Sequence, residues 1–172
     1  MSAGALLTLQ GLRKTYNEGL PNAEEVLHGI DMDIAAGEFT ALIGPSGSGK
    51  STLLNIIGLL ERASSGLYRL AGDDVTQLSD DARTHARHAT LGFIFQFHHL
   101  LPAFTALENV MLPALINGDH ATVESRARAA GLLDAVGLKD AHRKKPGELS
   151  GGMQQRVAIA RAGAFPAFGA RR

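Results

Sequence analysis

The residues Gly44-Pro45-Ser46-Gly47-Ser48-Gly49-Lys50-Ser51-Thr52 fit the spacing G-x-x-x-x-G-K-[ST], in which each residue type has a chemical job. Glycines let the backbone curl so that successive N–H groups face phosphate oxygens, where side chains would block the approach. Lys50 can reach the β and γ phosphates, and the Ser51 hydroxyl can sit on Mg²⁺. The context that confirms such a loop is a strand before it and a helix after it. The apolar run Phe39 to Ile43 precedes it as an expected strand, and the apolar run Thr52 to Leu60 follows it as an expected helix. A helix opening near Lys50 adds its positive dipole end to the same anion site. A plain Gly/Ser turn is the bland alternative, and the complete motif in its strand-to-helix context speaks against it. By itself the loop specifies a nucleoside triphosphate; GTPases, kinases and many ATPases share it.

A second constellation lies at Pro146-Gly147-Glu148-Leu149-Ser150-Gly151-Gly152-Met153-Gln154-Gln155-Arg156, continuing into Val157 to Ala162. Ser150 is a helix N-cap, and the two glycines behind it leave backbone N–H groups uncovered at a positive dipole end. Gly-Gly is costly in a first helical turn, so it calls for a reason, and a second anion site supplies one.

The elements around these loops follow from pattern. Leu6 to Gln10 and Val26 to Ile34 read as strands around a turn-rich Asn17 to Asn22, an antiparallel opening. In the second run Val26, His28, Ile30, Met32 and Ile34 alternate with Leu27, Gly29, Asp31, Asp33 and Ala35. After the phosphate loop, only Asn55 and Gly58 relieve a helix that is apolar nearly all round, which predicts a buried helix with Gly58 in its interior at a close contact. Leu67 to Leu70 reads as a strand closed by Gly72-Asp73-Asp74, and Ser79-Asp80-Asp81 opens a helix to about His88. Leu91 to Gln96 reads as an apolar strand ending in an amide.

Thr105-x-x-Glu108 is a capping box for a helix through about Leu112, where Pro113 kinks or ends it. Ala121 to Val136 forms the next helix, with Val123, Ala127, Ala130, Leu133 and Val136 on its apolar stripe and Gly137 as its stop. Leu91 to Gly137 is thus a mostly helical insertion after a sheet strand.

The chain's 172 residues, 45% hydrophobic and 20% charged, suit one soluble domain. Lys plus Arg balance Asp plus Glu at 17 each, so no net field selects nucleic acid as the main partner. There is no cysteine, which excludes disulfides and thiolate zinc. Met1 to Leu9 lacks the character of a secretory signal, and no run has the length of a spanning helix, so work at a membrane is expected to go through a partner. Adjacent His98 and His99 point to opposite sides of an extended chain without a further ligand at metal spacing, and read as a contact surface. Tyr16, by composition, reads as a packing aromatic.

A phosphate loop followed by Leu149-Ser150-Gly151-Gly152-Met153-Gln154-Gln155-Arg156 resembles the nucleotide-binding domain of ABC transporters, and rejects the GTPase and kinase readings. Gln96 matches the family's Q-loop glutamine and Tyr16 its adenine-stacking aromatic. Leu91 to Pro102 and Phe104 to Val110 look most like the ATP-binding subunits of lipoprotein-releasing systems, with macrolide-export and cell-division members as the alternative. The resemblance covers Leu6 to Ala162. It implies an α/β P-loop NTPase fold with an N-terminal antiparallel portion and a helical subdomain. The expected layout is a single cassette with a core over 1–96, a helical part over 97–150, a signature helix over 150–162 and an aberrant tail over 163–172.

The same resemblance implies ATP and Mg²⁺ as ligands, bound by Tyr16, Gly44 to Thr52 and Gln96, with Ser51 and Gln96 toward the metal. It also implies a homodimer in which Ser150, Gly151, Gly152 and Gln154 of one copy face the phosphate loop of the other. The stretch Phe97 to Gly137 would receive a membrane permease at the cytoplasmic face of the bacterial inner membrane.

One departure carries consequences. The family continues past this helix into a buried strand ending in Asp-Glu, the Walker B pair, whereas here Gly163 to Arg172 follow and no Asp or Glu comes after Glu148. Phe168-Gly169-Ala170-Arg171-Arg172 is what a one-base shift of codons for Leu-Val-Leu-Ala-Asp-Glu can encode, which motivates a truncation by frameshift. The expectations are absent or background hydrolysis, surviving weak nucleotide binding, and an aggregation-prone product lacking the C-terminal part of its core sheet.

Overall fold

The computed structural model describes residues 5–116 and 122–164. The chain divides into two compact units, Met1–His85 and Ala86–Arg172, each described by itself.

The first unit is built on a four-stranded antiparallel sheet with the order β2-β1-β3-β4. The strands are β1 (Ala5–Tyr16), β2 (Glu24–Ala35), β3 (Ser65–Leu70) and β4 (Asp73–Asp74). Both long strands outrun the predicted runs, and a bulge in each changes which residues face inward. In β1, Leu7 and Leu9 are buried on one face, and strict alternation would then turn Leu12 outward. A register shift between Leu9 and Leu12, with Gly11 at φ 56°, turns it into the core, where it is fully buried. The Gly11 N–H donates to Asp31 Oδ1 at 2.7 Å. In β2 the predicted alternation holds from Ile30 to Ile34 and changes face at Gly29 (φ 92°), so that Leu27 is the buried residue and His28 is exposed. Gly66 permits the closest approach in the sheet: a Cβ there would stand 2.5 Å from the Gly11 carbonyl.

Helix α1 (Lys50–Ile57) follows the phosphate loop. Leu53 and Ile56 are its buried residues, while Leu54 is 56% exposed, so the helix is covered on one face and not all round as its composition predicts. Gly58 is its C-cap and not an interior residue, donating its N–H to the Leu54 carbonyl at 2.8 Å. The expected strand Phe39 to Ile43 makes no ladder; Phe39 is 95% and Ile43 89% exposed. A strand needs a neighbour for its backbone, and none of the four strands pairs with this run.

Helix α2 (Asp80–Thr90) runs through the division between the units. Its predicted start holds: Ser79 Oγ accepts the Ala82 N–H at 3.2 Å, and Asp80 meets Arg62 at 2.9 Å.

The second unit packs α3 (Ala106–Ile116), α4 (Val123–Ala135) and α5 (Gly151–Gly163) around Val110, Met111, Leu133, Leu138, Leu149 and Val157. The capping box at α3 forms as expected: the Thr105 N–H donates to Glu108 Oε2 at 2.7 Å, and Thr105 Oγ1 accepts the Glu108 N–H at 3.3 Å. Pro113 neither ends this helix nor keeps it from reaching Ile116. Helix α4 is capped by Thr122 and ends before Gly137 (φ 75°) as expected, and Leu133 and Val136 of its expected stripe meet the core while the stripe's N-terminal members do not. Ala129 and Leu133 are buried, whereas Val123 is 89% exposed and Ala127 is exposed. The face is chosen by where α3 and α5 lie, which helical spacing within α4 leaves undetermined. Ala121, placed in this helix by its pattern, lies outside the described residues, as does the tail from Phe165 onward.

Leu91 to Gln96 is also without a ladder. Phe93 and Phe95 stack at 5.6 Å, and Gly92 passes so near α5 that a Cβ would lie 2.6 Å from the Ala162 carbonyl.

Candidate functional site: a phosphate loop and a glycine-led helix start

In the first unit the loop from Gly44 to Gly49 is exposed except at Gly49, which is buried against β2. Gly49 has φ 80°, and a Cβ there would meet Leu27 Cδ2 at 2.8 Å and the Val26 carbonyl at 3.1 Å, so glycine is required on two counts. Gly47 (φ 83°) makes the turn after Ser46, and the Ser48 N–H reaches back to the Pro45 carbonyl at 3.4 Å.

The Lys50 ammonium bends over the loop, donating to the Gly44 carbonyl at 2.8 Å, to the Pro45 carbonyl, and to Ser48 Oγ at 3.4 Å. A cation is thus held at the loop's centre by weak, neutral acceptors. Helix α1 opens at Lys50 with no side-chain cap and no acidic residue in its first turn. Its first N–H groups keep their positive field for an external anion. These features fit a triphosphate. Ser51 is exposed in that first turn, and no group of three His, Cys, Asp or Glu residues suited to a metal occurs among the described residues. A Mg²⁺ ion at bound phosphates would find the Ser51 hydroxyl available beside the phosphate oxygens. Thr52 Oγ1 lies 3.3 Å from the Tyr16 hydroxyl, which brings Tyr16, at the end of β1, to the same loop.

In the second unit Ser150 caps α5 as its sequence indicates, its Oγ accepting the Met153 N–H at 3.3 Å. Gly151 and Gly152 are exposed, with open space where a Cβ would be. Gln154 turns back instead, donating through Nε2 to the carbonyls of Pro146 at 3.0 Å and Leu149 at 3.2 Å, so it sets the loop ahead of the helix. Gln96 stands exposed at a bend between Phe95 and Phe97.

Further side chains hold these groups in place. Arg156 caps α4, donating to the Val136 and Gly137 carbonyls at 3.1 and 3.3 Å. Arg161 donates to the carbonyls of His99 and His98 at 2.8 and 2.9 Å, tying α5 to the chain that leaves Gln96. Burial lowers the pKa of Arg161 from its ordinary value. Beside Arg161 lies a cleft of about 320 Å³ lined by Phe93, Phe95, His99, Leu112 and Pro113. Lys14 and Glu61 frame Tyr16. Only Lys14 had a sequence signal, its i, i+2 spacing from Tyr16 on one strand.

An antiparallel sheet, a phosphate loop and a Ser-Gly-Gly helix start are the parts of an ABC ATPase cassette. A family model described as ABC transporter matches residues 27–165, and the chain belongs to that family. Among curated relatives it is 54% identical over 157 residues to the lipoprotein-releasing system ATP-binding protein LolD 1 of Rhodopseudomonas palustris, covering 91% of this chain and 70% of that one. It is 56% identical over 154 residues to LolD of Anaeromyxobacter dehalogenans, covering 90% and 64%. The macrolide export ATP-binding/permease protein MacB of Nitrosomonas europaea is 51% identical over 157 residues, 91% of this chain and 24% of that protein.

The chain therefore spans 64% to 70% of these two lipoprotein-releasing relatives. The fold agrees with the dimeric bacterial cassette MJ0796 at a TM-score of 0.80 and 42% identity, covering 92% of this chain and 69% of that one. A second form of that cassette, bound to ADP and Pi, gives the same figures. Among the described residues no helix is long and apolar enough to cross a membrane.

Proposed function

We propose that the chain is an ATP-binding subunit of a lipoprotein-releasing ABC transporter, binding ATP and Mg²⁺ through Gly44 to Thr52, with Tyr16 under the base and Gln96 near the metal. The observation that carries this is the Lys50 ammonium resting on neutral carbonyls of its own loop beside an uncapped helix start. An incoming triphosphate exchanges those weak acceptors for charged oxygens, which bind an ammonium far more strongly.

The open Ser150-Gly151-Gly152 helix start is directed to the phosphate loop of a second copy, so two chains enclose two nucleotides. The apolar cleft beside Arg161, with the stretch from Phe97 to Gly137, receives the permease subunits, and membrane contact passes through them at the cytoplasmic face of the inner membrane. The assignment to lipoprotein release over macrolide export rests on the two LolD relatives, at 54% and 56% identity. Gly44 to Thr52 offer phosphates a cation and hydrogen-bond donors but no carboxylate to polarise a water, so binding, and not turnover, is the activity assigned to these residues.

Two measurements test the reading. ATP binding by isothermal calorimetry should be measurable and fall at least tenfold in Lys50→Ala, which removes a charge-assisted contact. Steady-state phosphate release should stay at background in both proteins. Turnover by the wild-type chain that is lost in Lys50→Ala would refute the binding-only reading. Co-purification with a lipoprotein-releasing permease, and not with a macrolide exporter, separates the two transport systems.

A further inference from the structure

Within the first unit Tyr16 is held from more sides than a packing aromatic needs. Its hydroxyl donates to Glu61 Oε2 at 3.0 Å and lies 3.3 Å from Thr52 Oγ1. The Lys14 ammonium stands over the ring, 4.9 Å from its centre. That ammonium is fixed in turn, by Glu61 Oε1 at 3.0 Å and by the Arg62 carbonyl at 2.9 Å. The Lys14 and Glu61 side chains are only 14% and 23% exposed, while Tyr16 keeps 36% of its surface in solvent.

Each contact removes one freedom. The hydroxyl bonds fix the ring's tip, the cation occupies one face, and what remains to solvent is a ring of set tilt. Thr52 fixes that tilt relative to the first turn of α1, two residues from Lys50. An aromatic platform can bind the flat face of a nucleobase, and pre-ordering it removes the cost of immobilising a side chain at the moment of binding. A cation on the far face also draws electron density through the ring toward itself.

We infer that Lys14 and Glu61 are positioning residues that preset Tyr16 as a one-sided platform for the base of a nucleotide whose phosphates lie in the Gly44 to Thr52 loop. This rests on the proposed stacking role of Tyr16. Because the Tyr16 hydroxyl is committed to Glu61 and Thr52, the platform presents a π-face and no hydrogen-bonding edge.

The test compares ATP with inorganic tripolyphosphate, each with Mg²⁺, on the full chain by calorimetry. The readout is the ratio of the two dissociation constants, which cancels losses common to the phosphate loop and to the folded fraction. Stacking should make ATP bind about tenfold or more tightly than tripolyphosphate, and Tyr16→Ala should close that gap. Lys14→Met and Tyr16→Phe should each narrow it by about threefold to tenfold, as expected for a side chain that must now be ordered on binding. Tyr16→Phe keeps the ring and its packing, so it remains informative if Lys14→Met folds poorly, and Lys14→Arg should restore the ratio.

If Tyr16→Ala leaves the ratio unchanged, the stacking role itself fails and the inference with it. If Tyr16→Ala closes the gap while Lys14→Met and Tyr16→Phe both keep the wild-type ratio, stacking stands and the positioning inference is overturned.

Discussion

The carboxamide of Asn109 closes on the backbone of Leu101 from both ends, accepting its N–H on Oδ1 at 2.8 Å and donating from Nδ2 to its carbonyl at 3.1 Å. The same Nδ2 reaches the carbonyls of Phe104 at 3.2 Å and Thr105 at 3.0 Å. Asn109 is fully buried, and this one side chain folds the loop from Leu101 to Thr105 onto α3. Asn109→Ala should therefore cost about 2–4 kcal/mol, since a cavity opens and buried backbone groups lose their partners. A loss of less than about 0.5 kcal/mol in urea unfolding would show the loop to be held some other way.

Acid should loosen the same region. Hydrogen bonds from the Thr105 backbone and hydroxyl hold the Glu108 carboxyl below its ordinary pKa of 4.5. A depressed carboxyl adds stability that is fully present above the unfolded pKa and is lost as pH falls through the folded one. Wild type should exceed Glu108→Gln in stability above pH 4.5, with the difference shrinking at lower pH. Thermal melts of both proteins between neutral and acid pH check this, and a difference that grows toward acid contradicts it.

Two loop glycines should differ although their backbones are alike. At Gly47 and Gly49 φ is +83° and +80°, but a Cβ meets nothing within 4 Å at Gly47 and meets Leu27 at 2.8 Å at Gly49. Gly47→Ala should cost only the left-handed strain of about 1–2 kcal/mol. Gly49→Ala adds a clash, and should lose about 1–3 kcal/mol more together with most of its ATP affinity. Equal melting temperatures for the two variants would contradict the close approach to β2.

The run from Phe39 to Ile43 predicts poor solubility. Phe39 and Ile43 stand 95% and 89% exposed on a segment without a strand partner, an apolar edge open to another chain. Phe39→Lys with Ile43→Lys should lower light scattering on warming while changing folding stability by no more than about 0.5 kcal/mol, as for other solvent-facing side chains. A large loss of stability would mean that these side chains are covered in solution.

The local chemistry was legible in the residues themselves. Capping is a matter of a few neighbouring atoms, so Thr105 with Glu108, Ser150 with Met153 and Ser79 with Ala82 form where their spacing places them. The phosphate loop was legible for the same reason: Gly47, Gly49 and Lys50 act through their own backbone and one short reach.

Choices among faces and partners were decided only by the tertiary structure. Leu12 is buried because a bulge at Gly11 shifts its strand by a residue, and Ala129 rather than Ala127 is buried because α3 and α5 lie on that side of α4. Phe39 to Ile43 reads as a strand from its composition, yet a strand exists only through a neighbour's hydrogen bonds, and none of the four strands supplies them. Thr52 and Glu61 meet the Tyr16 hydroxyl from 36 and 45 residues away, a convergence that no spacing rule contains. By itself the sequence determined the loop glycines, Lys50 and the helix caps, which act through neighbouring atoms; the packing of the sheet with α1 decided what the Tyr16 hydroxyl and ring meet.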